Sequence, residues 1–228
     1  MSTTTDSFDP VQFDRLATLS VPGYSALQDL VALAASHALP KDARILDVGC
    51  GTGSGLPALA KVCPDATLVA CDPAPAMLGA ARERCANASV QVQFVQGSID
   101  AVSDEKPFDV IVSTLVLHFV PVPLRAIWLR ALRARLRPEG KLILTTLVND
   151  AQANAVWADL RKQYVLQQGL PLAELARRQA QSTMVPVVES ELREHLTAAG
   201  FAAPVALYQL LAVKCWLVKS PPHGDTHE

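Results

Sequence analysis

Ile45-Leu46-Asp47-Val48-Gly49-Cys50-Gly51-Thr52-Gly53 reads as a buried strand that ends beside an acidic residue and breaks into a glycine turn. A helix follows, Ser54-Gly55-Leu56-Pro57-Ala58-Leu59-Ala60. Strand, tight glycine loop and helix start together make a cradle for a ligand. Glycine lets backbone approach a bound molecule closely, and the first turn of a helix presents free N–H groups. The glycines stand at 49, 51 and 53. A dinucleotide fingerprint, Gly-x-Gly-x-x-Gly, needs its last glycine at 54, and Ser54 stands there. Asp47 points the same way. A carboxylate repels a pyrophosphate and favours an ammonium or a sulfonium. The loop therefore suits a ligand with a positive end and no phosphates.

Asp72 lies 21 residues after Gly51 and closes the next apolar run, residues 67–71. Parallel strands end at the same edge of a sheet, so Asp72 belongs beside the glycine loop, where it can accept hydrogen bonds from two ribose hydroxyls. Asp72-Pro73-Ala74-Pro75 is also a good helix-cap sequence, and the two roles can coexist.

Outward from this pair the chain alternates. Residues 44–48, 67–71, 90–95, 108–114 and 141–148 read as strands, and residues 56–62, 75–85 and 123–136 as helices. Phe108-Asp109-Val110-Ile111-Val112-Ser113-Thr114 has the near-continuous apolar character of a central strand covered on both faces. This alternation predicts a doubly wound α/β domain, a mostly parallel sheet with helices on both sides. Residues 9–19 and 25–38 have helical spacing around Val21-Pro22-Gly23-Tyr24. Residues 150–182 read as helical with a break at Gly169-Leu170-Pro171, and residues 189–199 as a helix closed by Gly200. Residues 204–208 and 211–219 form two strands so close in sequence that they must pair antiparallel. The domain boundaries expected are an N-terminal helical lid at 1–40, a core at 41–150, a helical lobe at 151–187, a helix and strand pair completing the sheet at 188–219, and disordered ends at 1–8 and 220–228.

Composition narrows the function. Half of the 228 residues are hydrophobic, enough for a large core. The formal charge is −2 from 20 basic and 22 acidic residues, which gives no footprint for direct nucleic-acid or anionic-membrane binding. Five scattered cysteines without a Cys-x-x-Cys pair indicate reduced, buried thiols and a cytoplasmic protein. No apolar run reaches membrane-spanning length, no histidine cluster has zinc spacing, and no signal peptide is visible.

The motif at 45–53, followed by Cys71-Asp72-Pro73 and Met77-Leu78, resembles the class I S-adenosylmethionine (SAM) dependent methyltransferases. The resemblance implies a seven-stranded sheet whose last strand is antiparallel. It also implies SAM as the cofactor and S-adenosylhomocysteine as its product. On that pattern Asp47, Gly49, Cys50, Gly51, Thr52 and Gly53 pack on the methionine part, Asp72 and Pro73 meet the ribose, and Met77, Ser98 and Ile99 meet the adenine. The family commonly has an acidic residue where Ser98 stands, and Asp100 could substitute. Val21-Pro22-Gly23-Tyr24 and Ala199-Gly200-Phe201 resemble, more narrowly, the carboxy-SAM synthase branch and its methyltransferase relatives. That branch implicates Tyr24 in cofactor contact and places an arginine near Arg177 or Arg178. It carries an asparagine where Thr114 stands, also at the cofactor edge. These departures argue against carboxy-SAM synthesis itself.

His118 follows the fourth strand and is the candidate general base, since its ordinary pKa lies near neutrality; simple packing against the cofactor is the plainer reading. His195 reads as structural. Arg125, Arg130, Arg133, Arg135 and Arg137 read as a solvated helix face. The expected function is methyl transfer to O, N or S of a small-molecule acceptor, with a lid that includes Tyr24, Trp157, Tyr164, Leu170 and Met184. The alternatives are a carboxy-SAM synthase-like enzyme of tRNA wobble-uridine modification and a non-catalytic SAM-binding protein. A homodimer is allowed.

Overall fold

The computed structural model describes residues 9–103, 105–181 and 183–222. Of the ends expected to be disordered, 1–8 and 223–228 fall outside the described residues; Ser220, at the start of the expected tail, is instead buried and its N–H donates to the Gly140 carbonyl at 2.8 Å. The elements are α1 (Pro10–Ser20), α2 (Tyr24–Ser36), β1 (Arg44–Val48), α3 (Leu56–Val62), β2 (Thr67–Asp72), α4 (Pro75–Asn87), β3 (Gln93–Gln96), β4 (Phe108–Thr114), α5 (Arg125–Arg135), β5 (Leu136–Asn149), α6 (Asn154–Gln167), α7 (Leu172–Gln181), β6 (Val187–Val188), α8 (Glu189–Ala198), β7 (Val205–Leu210) and β8 (Val213–Lys219).

The strands run in the order β3-β2-β1-β4-β5-β8-β7. Strands β1 to β5 are mutually parallel, while β8 pairs antiparallel with both β5 and β7. This is the seven-stranded sheet with one antiparallel strand that the motif implied. One addition was not foreseen: β6, two residues long, pairs parallel to the end of β5 at Val148 and Asn149. β5 also begins at Leu136, earlier than its apolar run, and its pairing with β4 shifts register between Phe108 and Val110.

Alternation along each strand sorts the core into two layers. Leu46, Val48, Ile111, Leu142, Leu144, Trp216 and Val218 face one side, where α5 and α8 supply Leu129, Leu132, Leu192 and Leu196. Ile45, Val110, Val112, Ile143 and Cys215 face the other, where α2, α3 and α4 supply Leu27, Val31, Leu56, Leu59 and Leu78. Period-two strands with both faces covered are what right-handed strand–helix–strand crossovers produce. A third, small cluster joins Leu16 of α1 to Val165 of α6 and to Leu170. It sits apart from the two layers that cover the sheet. Among the described residues no helix is long and apolar enough to cross a membrane.

Of the five arginines expected on a solvated face, Arg130 is exposed, while the other four make contacts within the fold. Arg125 is only 3% exposed; its guanidinium donates to the carbonyls of Val120 and Val185. Arg133 donates to Gly200, Arg135 to Val102, and Arg137 pairs with Asp109. The first three tie α5 to loop carbonyls, and the Arg137–Asp109 pair joins the start of β5 to β4.

Trp216 is the largest fully buried side chain and lies on the antiparallel strand. Trp216→Ala should therefore lower stability by about 3–5 kcal/mol. In urea denaturation the midpoint should fall while the slope stays unchanged.

Candidate functional site

The glycine loop is backbone-determined. Gly49, Gly51 and Gly53 all take positive φ, at 70°, 54° and 72°. Space confirms the need at two of them. A Cβ on Gly49 would lie 2.5 Å from Val116 Cγ2, and one on Gly53 would lie 3.0 Å from Ala81 Cβ. The N–H groups of Gly49 and Cys50 both donate to the Cys71 carbonyl, at 2.8 and 3.1 Å, which ties the loop to the end of β2.

Asp72 stands beside the glycine loop, as its position predicted. Its Oδ1 accepts from the Ala74 N–H at 2.9 Å in the turn that leads into α4, and its Oδ2 accepts from the Gly51 N–H at 2.9 Å. Its backbone carbonyl accepts from Gly97 at 3.0 Å, which brings residues 97–100 to the same edge. Asp47 is 6% exposed and burial, with a second contribution from Asp72, pushes its pKa up to about 7. Burial also raises Asp72, while the two backbone N–H donors pull it back. Among the described residues no cation is paired with either carboxylate. Two buried acids side by side without a counter-charge form a site that favours a cation.

The remaining predicted residues divide. Tyr24 begins α2 and shares a 2.7 Å hydrogen bond with Ser54 Oγ, so it does stand at the loop. Gln28 of the same helix donates to Ser54 at 3.4 Å. Cys50 is buried, and burial pushes its thiol far above the ordinary range, so it is unreactive. Met77 is buried in the first turns of α4 and Pro73 is exposed beside Asp72. Ser98 is exposed and donates to Asp100 at 3.4 Å. Ile99 turns into the core with Val69 and Val102, so its side chain is committed to packing. Thr52 is 1% exposed and its hydroxyl donates to Asp14 of α1.

β4 leaves the sheet under strain. Leu115 has φ +63°, and its N–H donates to the Thr145 carbonyl at 2.8 Å. A left-handed leucine costs of order 1–3 kcal/mol, and such costs persist where the surrounding structure enforces them. The result is that Val116 lands against Gly49, while the buried hydroxyl of Thr114 at the strand end has no protein partner among the described residues. His118 follows in a short 3-10 turn and is 3% exposed. Its Nδ1 accepts from the Leu147 N–H at 3.4 Å and lies 3.1 Å from Thr146 Oγ. With Nδ1 accepting from Leu147, the ring proton is assigned to Nε2. Burial, then the Arg125 charge, lowers its pKa to about 3.

Arg177 lines an open cavity of about 490 Å³ between α1 and α7, with Arg15, Gln12, Leu16, Pro171 and Glu174. It therefore stands with α1 and α7, and no glycine-loop residue lines that cavity; the side chain of Arg178 is outside the described set. Sequence reasoning missed Asp14 and Phe13 of α1, Arg84 of α4, and Val116. Their signal lay in the third dimension, since each reaches the loop from a different element.

A methyltransferase-domain family model matches residues 45–140. The carboxy-S-adenosyl-L-methionine synthase of Pseudomonas syringae pv. tomato is 34% identical over 212 residues, covering 87% of this chain and 85% of its own. An O-methyltransferase family protein from Burkholderia thailandensis superposes with a TM-score of 0.70 at 16% identity, covering 95% of this chain; the chain spans 60% of that structure's length. Magnesium protoporphyrin IX methyltransferase from Synechocystis PCC 6803, solved with bound S-adenosylhomocysteine, gives 0.63 at 18% identity, covering 92% and 94% of the two chains. The structural likenesses establish the fold. With the identity to the Pseudomonas protein across most of both chains, they place this chain in the class I SAM-dependent methyltransferase family.

Proposed function

We propose that the chain binds SAM across the glycine loop and Asp72 and transfers its methyl group to O, N or S of a small-molecule acceptor held under the α1–α6–α7 lid. The observation that carries this reading is the pair Asp47 and Asp72, two buried carboxylates with no cation paired to them among the described residues, at the edge of a loop where a Cβ does not fit at Gly49 or Gly53. That arrangement fits a ligand with a cationic end and a diol. Asp47 would face the cationic methionine end. Asp72, already holding Gly51 and Ala74, has lone pairs left for ribose hydroxyls. Tyr24, Thr114 and the backbone of residues 97–100 border the same edge. The five cysteines, all free and buried, support a reducing compartment such as the cytoplasm.

SAM supplies a methyl group already activated by its sulfonium. The protein's work is then to align the acceptor and exclude water, for which no strong base is required. His118 fits that division. As a neutral imidazole with its Nδ1 engaged by β5, it braces the exit of β4 and does not act as a base near neutral pH.

A second reading has a specific observation behind it, the identity with the Pseudomonas protein named as a carboxy-SAM synthase. Thr114, in place of that branch's asparagine, separates the two readings. Mass spectrometry of the protein incubated with SAM and a small-metabolite extract decides between them. An acceptor heavier by one methylene supports methyl transfer, whereas a cofactor heavier by carbon dioxide supports the alternative.

Asp72→Ala should weaken SAM binding by about 1–3 kcal/mol in calorimetry, the loss of hydrogen bonds to a charged acceptor. Unchanged affinity removes Asp72 from the site. Binding a cation favours the ionised form of Asp47, whose pKa is raised to about 7. SAM affinity should therefore rise from pH 6 towards 7.5, with proton release visible as a buffer-dependent binding enthalpy. Asp47→Asn should abolish that dependence.

A further inference from the structure

Helix α1 is only 11 residues long, too short to be stable by itself in water. Its hold on the domain is small. Leu16 is its only buried residue, and Val11 is 77% exposed. At its C-terminal end the Ser20 carbonyl accepts from Arg161 at 3.3 Å, and the chain then turns at Gly23, which has φ +67°. Nearer its start, Phe13 and Asp14 both reach the glycine loop. The Phe13 ring lies 3.8 Å from where a Cβ on Gly51 would be. The Asp14 carboxylate accepts from the Thr52 hydroxyl and from Arg84 Nη2 at 2.5 Å, and Arg84 Nη1 lies 3.3 Å from the same hydroxyl. A single carboxylate thus joins α1, the loop and α4.

We propose that Asp14 and Arg84 are positioning residues that latch α1 over the cofactor loop, so that SAM and S-adenosylhomocysteine exchange only when this ion pair breaks. The inference rests on the reading of the loop as the SAM site. Charge-assisted bonds fasten the end of α1 farther from the turn at Gly23, where apolar burial is least. Opening frees Thr52 and lifts Phe13 from Gly51 together, because both contacts come from adjacent residues on one helix. The Asp14 and Arg84 side chains are 28% and 33% exposed, so salt weakens the latch and should speed exchange.

The test uses the full chain. Association and dissociation rates of S-adenosylhomocysteine are measured for wild type, Asp14→Ala, Arg84→Ala, the double variant, and the charge swap Asp14→Arg with Arg84→Asp. Hydrogen exchange of the α1 amides is followed without ligand. Each single variant should raise the dissociation rate about three- to tenfold. Kd should change less than the dissociation rate, since association also quickens. The double variant should do no more than either single one, and the charge swap should restore slow exchange. Unchanged rates, or a swap that fails to restore them, overturn the latch; the failed swap would point to direct ligand contact by Asp14. If wild type binds no S-adenosylhomocysteine, the site reading and the gating role fall together. Faster α1 amide exchange in Asp14→Ala would then still distinguish an existing latch from none.

Discussion

The bond from the Gly51 N–H to Asp72 Oδ2 is the constraint on which the rest of this protein depends. It joins the turn after β1 to the end of β2. With the Gly49 and Cys50 N–H groups on the Cys71 carbonyl, it fixes the loop at the edge where the strand order reverses between β1 and β4. A doubly wound sheet leaves a crevice at that switch point, because the helices on either side depart to opposite faces. The loop's shape decides what the crevice can hold. Val116 closes it from the β4 side, Tyr24 and Gln28 from α2, and Phe13 from α1.

The same edge carries an electrostatic cost. Asp47 and Asp72 are both buried, and burial raises both pKa values. A group whose folded pKa lies above its unfolded value stabilises the fold at low pH and loses that contribution as pH rises. For Asp47 the loss runs from the ordinary carboxylate range up to about pH 7. Leu115 adds backbone strain at the neighbouring strand end. Sites that bind a cation tolerate such costs because the ligand removes them; preorganised charge needs no rearrangement when the ligand arrives.

Much of this was legible along the chain. The apolar runs of β1, β2 and β4 matched the strands to within a residue, since a strand covered on both faces must be apolar throughout. The odd spacing of three glycines and the acid closing β2 located the crevice. Other features left no local mark. β6 is two residues long and has no periodicity to read. Ile99 reads as a pocket residue by motif position, yet its side chain lies in the core because the 3-10 turn of Ile99–Ala101 rotates it there. Arg125 reads as surface in a charged helix, and is buried because two loop carbonyls need its donors.

The sequence by itself determined the sheet, the glycine turn and the acid beside it. Those follow from side-chain period, backbone freedom and the rule that parallel strands end at one edge. Only the tertiary structure decided how the site is closed and which groups in it stay available. Thr52, Asp14 and Arg84 meet across separations of 38 and 70 residues. Burial and the Arg125 charge lower the pKa of His118, and Leu147 of β5 donates to its Nδ1. Hydrogen bonds and desolvation depend on what packs against a group, and a local pattern does not encode that.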